Sequence, residues 1–131
     1  FSMEIGLLQF KGRVHFAMCK CINSELEQLK DCDRNELIHN VSTIIDKAIH
    51  ANYTIYPINY IAYDQLENGT RFASQYTNKD VEEVNSYIDQ QLDKVTDIPN
   101  ITAEDRAYMR NMMLSMYANP LRNKLIATGK E

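Results

Sequence analysis

Between Gly12 and Met18 apolar and polar side chains alternate, with Val14, Phe16 and Met18 on one face and Arg13, His15 and Ala17 on the other. A period of two residues is the mark of an extended chain, so the pattern predicts a short strand over 12–18. A single strand is not a sheet; its partners must be poorly marked here or lie outside the chain. Beyond it the period becomes helical. Ser24-Glu25-Leu26-Glu27 has the capping-box form and predicts a helix over 24–30. Asp33-Arg34-Asn35-Glu36 repeats that signal, and Leu37, Ile38, Val41, Ile44, Ile45, Ala48 and Ile49 then recur at helical spacing. This predicts an amphipathic helix over 34–51 whose apolar stripe must bury against something.

Pro57 suits the first position of a helix, where its missing N–H costs nothing, and Ile58, Ile61, Ala62 and Leu66 share a face, so a helix is predicted over 57–67, broken by Asn68-Gly69. Thr77 or Asn78 caps a helix over 78–95 with the stripe Val81, Val84, Ile88, Leu92 and Val95. Thr102 opens another over 103–118, with Glu104 and Asp105 in the first turn, where the helix dipole favours carboxylates. Asn119-Pro120 is expected to stop it and to start a last helix over 120–127. Helices joined by short loops pack as antiparallel neighbours. The expected fold class is therefore mainly α: a small helical domain or fragment, 1–131, with one short β-strand element near the N-terminus.

Composition supports an ordered core. Of 131 residues 44% are hydrophobic and 24% charged, a usual balance for one globular domain. The net charge of −4 argues against a dedicated nucleic-acid binder, which needs a basic excess. The charge is uneven: residues 64–105 hold 3 basic and 10 acidic groups, residues 106–131 hold 5 basic and 1 acidic. That asymmetry reads as internal pairing or as a basic end able to meet an anionic surface. No apolar stretch reaches the length of a membrane span. Cys19, Cys21 and Cys32 are an odd set with no nearby partners for zinc, so reduced thiols and a cytoplasmic setting are expected.

A catalytic constellation is hard to assemble from these residues. His39 and His50 stand three turns apart on one predicted helix, too far to share a metal. Gly69 stands alone and makes no phosphate-cradling loop. Four Asn-x-Ser/Thr matches, at Asn40, Asn52, Asn68 and Asn100, read as caps and turns. Met109, Met112, Met113 and Met116 read as core; with Arg106 and Arg110 they read alternatively as a surface for a partner or for lipid.

Phe10-Lys11-Gly12-Arg13-Val14-His15-Phe16 followed by Cys19-Lys20-Cys21-Ile22 resembles the late strand of glycerol-phosphate and lysophosphatidate acyltransferases. Asp46-Lys47-Ala48-Ile49-His50, Tyr53-Thr54-Ile55-Tyr56-Pro57, Tyr60-Ile61-Ala62-Tyr63-Asp64 and Met113-Leu114-Ser115-Met116-Tyr117-Ala118-Asn119-Pro120-Leu121 are similar to the C-terminal extension of a Bacteroidetes group of such proteins. The resemblance implies a non-catalytic C-terminal helical region that braces an upstream catalytic domain of the same protein. That parent would use acyl-CoA or acyl carrier protein and sit peripherally at the inner membrane, with no cofactor. The family's His-x4-Asp dyad is missing: at that offset from His15, His39 and His50 stand Lys20, Ile44 and Ile55. The dyad would precede residue 1, and no residue here is expected to be catalytic. Asn68-Gly69-Thr70-Arg71 resembles the family's Glu-Gly-Thr-Arg phosphate segment, although it follows the strand instead of preceding it; Arg71 is on that ground a candidate phosphate contact. The competing class is a stand-alone helical interaction module or a peripheral membrane-binding domain.

Overall fold

The computed structural model describes Leu8 and residues 13–95 and 98–130. Its helices are α1 (Asn23–Glu27), α2 (Arg34–Asn52), α3 (Pro57–Leu66), α4 (Asn78–Leu92) and α5 (Ala103–Thr128), with a 3-10 turn at Ala73–Gln75. The chain is mainly helical, but the expected strand is absent: residues 13–22 form no regular structure, and no strand occurs among the described residues. Period-two alternation fits a strand only where a neighbouring backbone takes up the N–H and C=O groups. Among the described residues nothing is paired alongside, and Phe16 and Met18, 90% and 98% exposed, have no sheet face to cover.

The helix starts are set by local chemistry. Asp33 Oδ1 accepts from the backbone N–H of Asn35 (2.8 Å) and Glu36 (3.1 Å) at the head of α2. Thr77 and Asp80 form a reciprocal capping box on α4, as do Thr102 and Asp105 on α5. The Ser24 box does not form. Its hydroxyl donates to the neighbouring Glu25 carboxylate, Ile22 takes the cap position, and α1 ends at Glu27, short of the expected 24–30. α4 also stops early, at Leu92, leaving Val95 half-buried beyond its end.

α3 lies at the centre, packed mainly on α5 and also on α4, while α2 packs mainly on α5. Ile61 and Ala62 of α3, Val84, Ile88 and Leu92 of α4, and Leu114 and Ala118 of α5 make the core. At about 25 cal/mol per Å² this burial is the main term holding the three helices together.

α5 corrects a second expectation. It runs through Pro120 as one 26-residue helix, so 103–118 and 120–127 are not separate. An interior proline removes one N–H and crowds the preceding turn, costing about 3 kcal/mol. Two features offset this. Ala118 and Leu121, on either side, are buried against the core. Asn59 Nδ2 donates to the Tyr117 carbonyl (2.8 Å), in the turn the proline disturbs. The same buried Asn59 uses Oδ1 to accept from the Tyr56 N–H (2.8 Å), capping α3. Gly129, at φ 66°, closes α5 in the left-handed conformation that glycine adopts without Cβ strain.

Candidate functional site

α2 has an apolar stripe and buries none of its residues. Its C-terminal end meets α5 through polar contacts: His50 Nε2 lies 3.5 Å from Asn123 Nδ2, and Lys124 Nζ donates to the Tyr53 carbonyl (2.6 Å). Val41, Ile44 and Ala48 are half-buried, but Leu37, Ile38, Ile45 and Ile49 remain exposed. Ile38, Ile45 and Ile49 lie on one side of the helix, since a seven- or eleven-residue step returns close to the same face.

The segment 13–22 lies along this side. Cys19 Sγ donates to the Ala48 carbonyl at 3.6 Å. An open cavity of about 380 Å³ is bounded by Cys19–Asn23 and by Ile45, Ala48 and Ile49. A second, of about 420 Å³, lies between Arg13–Cys19 and the Ile49–Tyr56 stretch and is lined by His15. Val14, Phe16 and Met18 extend the apolar surface outward. Apolar faces rimmed by polar groups on an otherwise solvated protein mark contacts with another body.

The sequence-derived candidates are positioned as follows. Arg106 and Arg110, considered for lipid or partner contact, turn to α4. Arg106 Nη2 donates to Asp93 (2.8 Å), while Arg110 donates to Asp89 (2.9 Å) and to Asn85 Oδ1 (2.5 Å). Asn85 Oδ1 also accepts from Gln65 Nε2 (3.2 Å), so one amide ties α3, α4 and α5. Tyr108, Met112, Met116 and Ile126 of α5 are exposed, and Met109 and Met113 pack on the core. Arg71 is held at the far end of α3, donating to the Lys130 carbonyl (2.8 Å), with the Tyr63 hydroxyl at 3.5 Å. His15, His39 and His50 do not converge, and no group of three metal-capable side chains occurs among the described residues. The three cysteines are free thiols, Cys19 and Cys21 exposed.

Polar groups that the sequence does not flag are structural. Asp64 is buried and accepts from the Phe72 N–H (3.0 Å) and the Tyr76 hydroxyl (2.8 Å), fastening the 67–76 loop to α3. Burial pushes the Tyr76 phenol up from its ordinary range, and the Asp64 carboxylate adds to this. Burial also raises the Tyr117 phenol, whose hydroxyl lies 2.8 Å from that of Tyr87. Sequence periodicity gave no hint of these roles, because the partners lie outside each residue's own helix.

Fold and surface together define a class: an all-helical unit, among its described residues, with a closed three-helix core and one uncovered apolar helix face. No family model, curated protein or solved structure matches the chain.

Proposed function

We propose that this chain is a non-catalytic docking unit, its α2 face seating on a folded body joined to the segment that enters through residues 13–22. The single observation that carries the reading is the bare flank of α2, with Ile45 and Ile49 41% and 46% exposed in a helix that buries nothing. The occupant follows from position. The entering chain runs along that flank, so whatever precedes it is tethered beside the face at high effective concentration. In the acyltransferase resemblance that body is the catalytic domain, and this chain braces a transfer of a fatty acyl group to a glycerol-phosphate hydroxyl without contributing a reacting group.

The test uses the thiols as reporters. Maleimide labelling of Cys19 and hydrogen exchange of α2 are compared between this chain alone and the chain joined to its encoded upstream sequence. Slower labelling and protected α2 amides in the joined protein, both reversed by Ile45→Asp, are expected. Equal rates in the two forms would remove the docking reading. A joined protein lacking a His-x4-Asp motif would remove the acyltransferase version while leaving docking intact. Flotation with anionic vesicles, abolished by Arg106→Ala with Arg110→Ala, would replace it with a membrane-surface role.

A further inference from the structure

α3, the 67–72 loop and the last turns of α5 border an open cavity of about 240 Å³ lined by Tyr63, Arg71, Arg122, Leu125 and Ile126. Two arginines share one small cavity, an arrangement that costs repulsion unless something offsets it. Both are fixed from behind by aromatic rings. The Arg71 guanidinium carbon sits 5.2 Å from the Phe72 centroid, and that of Arg122 sits 5.7 Å from the Tyr63 centroid. Tyr63 and Phe72 pack edge to face at 5.4 Å. Glu67 engages one amine of Arg122 at 2.6 Å, leaving its remaining donors for another partner.

We infer that this cavity is a site for an organic carboxylate bearing an aliphatic substituent. Charge selects the headgroup. The two guanidiniums less the Glu67 carboxylate leave one net positive charge, matched by a monoanion; a phosphate dianion would face Glu67 unbalanced. Fork geometry suits a carboxylate held by two N–H groups. The Tyr63 hydroxyl, near Arg71, supplies a further donor. Leu125 and Ile126 form the apolar wall against which an aliphatic chain would lie. This differs from the phosphate contact expected of Arg71 from its sequence neighbours: the structure adds Arg122 and Glu67, and Glu67 changes the charge that fits.

The site is tested by NMR titration of the full chain. The probes are hexanoate, a short peptide ending in free leucine, inorganic phosphate and hexylamine. Saturable shifts at Tyr63, Arg71 and Ile126 are expected with hexanoate or the peptide. The tighter of the two identifies a small acid or a chain terminus as the source. Arg71→Gln should weaken binding at least about tenfold, the loss of one charge-assisted contact, with an unchanged helical spectrum. Arg122→Lys keeps the charge, loses the fork and should weaken it as well. Absence of saturable shifts with both carboxylates, equal binding of phosphate, or hexanoate affinity unchanged in both variants would overturn the assignment.

Discussion

Asn59 shows how much one buried amide can decide. It is 7% exposed, caps α3 through Oδ1 and supplies the Tyr117 carbonyl through Nδ2. Asn59→Ala removes both contacts, so chemical denaturation should show a loss of about 1–3 kcal/mol. Asn59→Asp keeps the cap but points a carboxylate at that carbonyl, and its loss should exceed that of the alanine variant at neutral pH. Ile88, fully buried among helices, should cost about 2–5 kcal/mol when cut to alanine. Ile45→Ala on the α2 flank should cost less than the Ile88 change, about 0.5–1.5 kcal/mol, since Ile45 is 41% exposed.

At the scale of the element, the capping boxes carry a pH dependence. Hydrogen bonds from Thr77 hold the Asp80 carboxyl below its ordinary value, and those from Thr102 do the same for Asp105. A depressed folded pKa means stability that is fully present above the unfolded carboxylate value and lost as pH falls through the folded one. Circular dichroism melts should therefore be insensitive to these groups at neutral pH and begin to fall below roughly pH 4. Thr77→Val with Thr102→Val should flatten that fall by removing the hydroxyl donors. At high pH the sign reverses: Tyr76 and Tyr117, raised by burial, contribute stability below the unfolded phenol value and lose it as pH climbs through their own. α5 adds a point about proline. Pro120 is tolerated because tertiary burial around it and a side-chain contact to the neighbouring Tyr117 carbonyl offset its cost. Pro120→Ala should stabilise the helix by about 1–3 kcal/mol in denaturant titrations.

For the whole molecule, stability is concentrated where α3, α4 and α5 meet. Hydrogen exchange should find the slowest amides in α3, α4 and the middle of α5, and fast exchange over 13–22 and α1, which bury no side chain fully. The Arg106 and Arg110 ladder to α4 is largely exposed and adds only about 0–1 kcal/mol per pair. Its effect is on the register of α5 against α4 more than on stability.

The sequence by itself determined what depends on neighbours within a few residues. The caps at Asp33, Thr77 and Thr102 were legible because donor and acceptor lie two or three positions apart, and the stripe Val84, Ile88, Leu92 because one helix face suffices to define it. Tertiary structure alone decided the rest. Alternation at 13–18 predicted a strand that no second strand among the described residues completes. The α2 stripe announced burial but not that a flank would stay bare, and Asn119-Pro120 signalled a stop that contacts from α3 overrode. Arg71 was visible as a lone cation; its pairing with Arg122, 51 positions away, arises only from the packing of α3 on α5. Periodicity records which face prefers to leave water, while the identity of the partner is a property of contacts distant in sequence.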